Sequence, residues 1–391
     1  MRIGIYNPTV GSRISGGTET FIREIIKRLQ KRHDIILFTG KSSKFKLLDE
    51  FHQMNIEIIQ IPFIERNAKI ISSLYRVSNK LKLNLGPIAF EIESISMYTK
   101  AINKLREFLK REKVDVLSTH YYIDNLLISR LCRKLHIPTI FRFPGIKCKS
   151  IRWVLMAKYA TPTLYLANSI NTAKRAEMWL GIKIDGIVYP GVDIATFNPN
   201  VDPIIKNEND EFKVLFVGRL EPGKGVDILL KAIKELIKRK YKIKAYLIGD
   251  GVLGNDIKQE IRALNIDQHV VMLGAIPNKD IPRYLVSCDI FCLPTIHEGF
   301  SVAVIEAMAC GKAVVCTRLD STLEQITDGK DGLLFNKGDY KDLANKIEYL
   351  YNNEDVRKRL GKHARKKVIK KFTWDKSAKR MEVFYEMATE S

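Results

Sequence analysis

The sequence predicts an α/β protein of two doubly wound domains, and three observations carry that expectation. Short β-branched segments alternate with amphipathic stretches of helical period along most of the chain. The rhythm lapses in the polar stretch NPNVDPIIKNENDE (198–211) and then restarts. A length of 391 residues also suits two domains of roughly 190 each better than one.

In the first half, 2–6 (RIGIY), 35–39, 56–61, 114–119, 138–143 and 163–169 read as buried parallel strands. Helices are expected between them, including 18–31, 102–112 and 126–135. In the second half, strands are expected at 213–218, 244–249, 270–275, 290–294 and 313–317, with helices at 226–240, 255–264 and 301–310. The domains are therefore expected at 1–197 and 198–372, followed by a last helix over 373–391.

Bulk properties narrow the function classes. With 46% hydrophobic residues each half can bury a core, yet no apolar run reaches the 18 residues of a membrane span. The start, MRIGIYNPTV, reads as a strand and turn and not as a signal peptide. Cysteines 132, 148, 288, 292, 310 and 316 are scattered, with neither a CxxC pair nor a His cluster, as expected for reduced core thiols of a cytoplasmic protein.

Of the net charge of +21, residues 1–200 supply +16 (32 Lys+Arg, 16 Asp+Glu) and residues 201–391 supply +5 (33 and 28). A basic first half suits an anionic membrane surface, a phosphate-bearing acceptor or nucleic acid, although a Lys- and Ile-rich composition alone would also produce it. The irregular amphipathic segment 67–113 is a candidate for peripheral contact with an anionic membrane. The later run KHARKKVIKKF (362–372) reads as the solvated face of a helix, with Trp374 and Tyr385 as core anchors beyond it. No nucleic-acid partner is expected, because the basic residues are not interleaved with a recognition motif.

The chemistry concentrates in EGFSVAVIE (298–306). Ser301 is a good N-cap for a helix that stops at Gly311, and such a helix directs free N–H groups and its positive dipole end at whatever precedes it. Phosphate commonly occupies that place. Glu306 would stand roughly 7 Å up the helix while Glu298 stays on the loop. The stretch reads as a nucleotide-sugar cradle. In VGRLEPGKG (217–225), Arg219 offers a planar fork of donors and Lys224 a mobile point charge, both suited to diphosphate oxygens. Gly218, Gly223 and Gly225 allow close backbone approach. ISGGTET (14–20) places Gly16 and Gly17 between the first strand and the first helix, and THYY (119–122) closes a later strand.

Together these strings resemble the retaining glycosyltransferases of the GT-B fold, in particular glycosyltransferase family 4. The resemblance spans residues 4 to about 330 in family order and spacing, and also takes in YPGVD (189–193) and LIGDG (247–251). It implies two Rossmann-like domains facing across a cleft, with the acceptor on the N-terminal one and the nucleotide sugar mostly on the C-terminal one. It also implies that the last helix crosses back to the N-terminal domain.

Residue by residue, the resemblance gives Glu298 the donor sugar, Glu306 the ribose, and the backbone of Gly299, Phe300, Ser301 and Val302 the diphosphate. Arg219 and Lys224 also meet the diphosphate, His120 lies beside the reactive carbon, and Gly16 and Gly17 form the loop facing donor and acceptor. The backbone at Gly251 and near Ile276 completes the donor site. The family string usually has Gly where this chain has Ser301, and FRFPG (141–145) replaces a common His-Gly pair, leaving Arg142 as a contact for this protein's own acceptor.

The expected reaction is transfer of a sugar from a nucleotide diphosphate, UDP in preference to GDP, to an acceptor hydroxyl with retention of configuration. The acceptor expected is a lipid-linked or phosphorylated glycan at the inner face of the cell membrane. A soluble small-molecule acceptor and a GT-B nucleotide-sugar 2-epimerase are the alternatives. No cofactor is expected, and the cationic side chains are expected to replace a metal ion.

Overall fold

The computed structural model describes residues 1–8, 17–41, 48–62, 101–146, 151–205 and 210–391. The chain divides into two compact units. The first comprises Met1–Asn168, Ala173–Val188 and Ala378–Ser391, and the second Ser169–Thr172 and Tyr189–Ser377.

The first unit is built on β1 (Arg2–Tyr6), β2 (Asp34–Lys41), β3 (Glu57–Pro62), β4 (Val116–Thr119), β5 (Thr139–Phe143), β6 (Leu164–Ala167) and β7 (Gly186–Ile187). All seven pair in parallel in the order β3-β2-β1-β4-β5-β6-β7. The second unit repeats the plan with β8 (Phe212–Val217), β9 (Ile243–Ile248), β10 (Val270–Gly274), β11 (Ile290–Leu293), β12 (Ala313–Thr317) and β13 (Leu333–Phe335). Its order is β10-β9-β8-β11-β12-β13, again all parallel.

Each sheet starts in its middle and winds outward in both directions. The order reverses between β1 and β4 and between β8 and β11. Ligands of open α/β sheets gather at the carboxyl ends of the strands flanking such a reversal. Gly17 and His120 follow β1 and β4, and the 218–225 and 294–301 loops follow β8 and β11.

The expected α/β plan with two Rossmann-like sheets is present, and every expected strand is found within two residues or so of its expected bounds. Gly186–Ile187 and Leu333–Phe335 were not anticipated, since two or three residues are too few to display a period. The helix Val226–Lys238 shows why the pattern was readable: Val226, Leu229, Leu230, Ile233 and Leu236 make one buried stripe at helical spacing.

The polar stretch 198–211, expected as the boundary, falls inside the second unit, with 206–209 outside the described residues. The change of unit comes earlier, at Val188–Tyr189, because the chain beyond it is fastened to the far end of its own unit. Val192 N–H donates to Phe372 O at 2.9 Å, and a Cβ on Gly191 would lie 2.4 Å from the Trp374 nitrogen. The last helix, Trp374–Glu390, gives its first residues to the second unit and the rest to the first.

Leu360, Ala364 and Val368 bury one face of helix Glu354–Lys371, while Lys358, Arg359, Lys362, Lys366 and Lys370 are solvent-exposed. Trp374 and Tyr385 are buried. Cys132, Cys288, Cys292, Cys310 and Cys316 are free and buried, and Cys148 lies outside the described residues. Among the described residues no helix is long and apolar enough to cross a membrane. Most of the amphipathic segment 67–113 is likewise outside them.

Candidate active site

In the second unit, two loops that are far apart in sequence are fastened to each other. Gly223 O accepts from Ile296 N–H and Thr295 Oγ, both at 2.9 Å. Gly225 sits at φ 71° as the residue before helix Val226–Lys238, and a Cβ there would stand 1.9 Å from Pro294 O. Only glycine fits such a position. Gly249 plays the same part on the other side of β8: its φ is 140°, and a Cβ would lie 1.8 Å from Gly218 O. Gly251 packs against Leu220 O, and Gly218 N–H donates to Ile248 O.

This lacing brings Lys224 to Glu298. Nζ donates to Oε2 at 2.7 Å, with side chains 23% and 15% exposed. Arg219 stands further out, 67% exposed, with NH1 2.7 Å from Glu221 Oε1. An exposed pair of this kind is held weakly and its guanidinium can be recruited by an incoming anion.

Ser301 caps helix Val302–Ala309, its Oγ accepting from Val304 N–H. Its backbone is clamped by Gln325, whose Oε1 accepts from Ser301 N–H at 3.2 Å while Nε2 donates to Ser301 O at 2.7 Å. The Ser301 N–H, expected to face a diphosphate, is therefore occupied. The N–H groups of Val302 and Ala303 have no partner among the described residues. Phe300 is buried against Tyr189 and Phe372, with ring centroids 5.4 and 5.5 Å away, so its side chain packs the core and only its backbone is available. Gly299 O accepts from Ser169 Oγ at 3.3 Å, and Val302 and Ile276 are half-buried.

Glu306 is buried on the same helix, where neighbouring Val304, Ile305, Ala307 and Met308 are also enclosed. Burial pushes its carboxyl up to about 7, partly opposed by Asn278, whose Nδ2 donates to Oε1 at 3.1 Å. Sequence reading missed both Asn278 and Gln325. Each acts across 24 or 28 positions of chain, and a lone amide carries no local signal of such a partner.

In the first unit His120 follows β4 and is buried, its Nδ1 lacking a partner among the described residues. Burial, helped by the Arg142 charge, holds the imidazole down to about 3, so it is neutral at physiological pH. The β4–β5 register ends at Thr119 opposite Phe141, one residue before His120 and Arg142. Arg142 is not a free acceptor contact: Nε and NH2 both donate to Val188 O, at 3.2 and 2.8 Å, and its guanidinium lies 3.6 Å from the Phe21 ring centroid. It is a buried clasp, with burial drawing it down to about 9. Gly17 opens helix Gly17–Leu29 with open space where a Cβ would point, and Gly16 is outside the described residues.

A doubly wound unit with charged, glycine-laced loops at its sheet reversal defines a nucleotide-binding α/β class. Known proteins make the class specific. Residues 15–196 match the family described as Glycosyltransferase Family 4, and residues 198–367 match Glycosyl transferases group 1. An uncharacterized glycosyltransferase of Methanocaldococcus jannaschii is 32% identical over 302 residues, 76% of this chain and 82% of that one. The UDP-Gal:alpha-D-GlcNAc-diphosphoundecaprenol alpha-1,3-galactosyltransferase of Escherichia coli is 25% identical over 307 residues, 73% and 79% of the two chains.

Among solved structures, a glycosyltransferase from Rickettsia africae has a TM-score of 0.77 at 20% identity, over 99% of this chain and 98% of its own. Anabaena HepE in complex with UDP has a TM-score of 0.75 at 19% identity, over 99% and 100%. The chain belongs to glycosyltransferase family 4, with the GT-B fold.

Proposed function

We propose that this glycosyltransferase moves a sugar from a nucleoside diphosphate, UDP in preference to GDP, to an acceptor hydroxyl with retention of configuration. The observation carrying this reading is the 2.7 Å pair of Lys224 and Glu298, held where the second sheet reverses. The bond from the anomeric carbon to the diphosphate oxygen breaks, and its electron pair leaves with the diphosphate. The acceptor oxygen bonds to the same face of that carbon, and its proton passes to the departing phosphate oxygen. Lys224, Arg219 and the N–H groups of Val302 and Ala303 supply fixed positive charge where negative charge grows. Glu298 holds sugar hydroxyls and Glu306 holds ribose.

His120, which family pattern puts beside the reactive carbon, contributes hydrogen bonding as a neutral ring. The reaction is read as needing no metal, so turnover should survive EDTA. A UDP donor is supported by the UDP complex of Anabaena HepE. A lipid-linked or phosphorylated glycan acceptor, reached at the inner membrane face, is supported by the basic first half and the undecaprenol-linked substrate named for the Escherichia coli relative.

Titration of the purified protein with UDP, GDP and ADP, read as a rise in melting temperature, tests the donor site, since a ligand of the native state alone stabilises it. A response to UDP is expected, and no response to any of the three would overturn the reading. Sedimentation with anionic vesicles at low salt tests the membrane contact, which fails if the protein stays in the supernatant.

A further inference from the structure

Glu306 and Glu298 are both assigned to the donor, yet they are held in opposite ways. Glu298 is paired with a cation, whereas among the described residues no Lys or Arg is paired with Glu306. The one side chain bonded to it is Asn278, from the short turn Asn278–Asp280 that follows β10. Nδ2 donates to Oε1, leaving Oε2 without a hydrogen-bond partner among the described residues.

Asn278 itself is exposed and has a further N–H and an acceptor oxygen to offer. A carboxylate fixed at one oxygen and open at the other can accept hydrogen bonds from a vicinal diol, but only while it is ionised. Protonated, it becomes a donor through one oxygen and loses acceptor capacity.

From this geometry we propose that Asn278 is a positioning residue: its amide orients the Glu306 carboxylate and keeps it charged, and thereby sets how strongly the site selects ribose over deoxyribose in the donor nucleotide. The inference rests on the assignment of Glu306 to ribose. Few other charges stand near enough to replace Asn278. Lys279 and Asp280 share its turn, the Cys310 thiol at the end of the Glu306 helix is pushed up to about 12 by burial and is neutral, and Arg365 of the 354–371 helix is bonded to Ala309 O.

The test is calorimetric titration of UDP and 2′-deoxy-UDP between pH 5.5 and 8.5 into wild type, Asn278→Ala, Asn278→Asp and Glu306→Gln, with the unliganded melting temperature confirming the fold of each. Wild type should bind UDP more tightly than 2′-deoxy-UDP by roughly tenfold or more, as expected when a buried polar group loses its partner, and this preference should fade as pH falls through the Glu306 titration. Asn278→Ala should cut the preference several-fold and move its pH midpoint upward, while 2′-deoxy-UDP binds as before.

Asn278→Asp, equal in size but without a donor and with a like charge, should move the midpoint further still. If Glu306→Gln abolishes the preference while Asn278→Ala keeps both the wild-type ratio and midpoint, the inference is overturned and the ribose assignment stands. If Glu306→Gln leaves the ratio unchanged, or wild type shows no preference for ribose, the assignment of Glu306 falls and this inference with it.

Discussion

The two sheets follow one plan but finish their reversal points differently. At the carboxyl edge of the first, His120 and Arg142 are buried, His120 is neutral, and neither has a carboxylate partner among the described residues. Arg142 is satisfied by a carbonyl and a ring face. At the matching edge of the second, Lys224, Glu298 and Arg219 remain partly open and charged, on loops that only glycine can lace together. The topology places a site at either edge, whereas the charge on the edge decides what that site can hold. Diphosphate chemistry needs solvent-accessible cations and free N–H groups, and the second edge offers both in Arg219 and Lys224 and in Val302 and Ala303.

The largest effect should come from discharging that edge. Lys224→Ala is expected to lower kcat/KM about 10²–10³-fold, typical for loss of one preorganised donor to a transition-state anion, while circular dichroism stays native. Arg219→Ala should act in the same direction. Wild-type turnover in both variants would erase the distinction between the edges.

Gly225→Ala should destabilise the second unit by more than about 2 kcal/mol in urea titration, because its φ is left-handed and its Cβ would collide with Pro294 O. Gln325→Leu leaves both Ser301 backbone groups unanswered and should lose about 1–3 kcal/mol in the same experiment.

The smallest and sharpest test is pH. His120 titrates near 3 when folded against an ordinary 6.5, so the unfolded chain takes up a proton first and stability is lost as pH falls from about 6.5 towards 3. Glu306 titrates near 7 against an ordinary 4.5, so the native state holds its proton longer and stability is lost as pH rises from about 4.5 to 7. His120→Gln should flatten the acid limb and Glu306→Gln the other, both read from melting temperature against pH. Unchanged slopes would mean that these edges do not differ as described.

Much of this was legible in sequence because its signals are local. Buried parallel strands are short apolar runs, and the 226–238 helix shows its stripe directly. The Lys224 and Glu298 motifs were also readable, since each is a contiguous string. Pairings across the fold were not. Nothing near residue 142 announces that the strand end is enclosed, so Arg142 reads as a surface contact. Nothing near 278 or 325 points to a helix some two dozen positions away. The change between contact units was not legible for a related reason: composition marks where the pattern lapses, but the backbone packing at Gly191 decides which unit the chain has joined.

That packing, together with the last helix, has a consequence for how the protein is made. The second unit fastens its first strand-like segment to Phe372, and the first unit completes its core with Tyr385, whose hydroxyl donates to Ser118 Oγ at 2.9 Å, and with Glu382 against His33. The second unit cannot close until Phe372 has been synthesised, nor the first until Tyr385 has. The nascent N-terminal half therefore waits with part of its apolar surface uncovered, a period in which such chains are prone to aggregate or to need a chaperone. Removing Glu382 and Tyr385 with the end of this helix would leave the loops of Lys224 and Glu298 intact while uncovering part of the first unit's core.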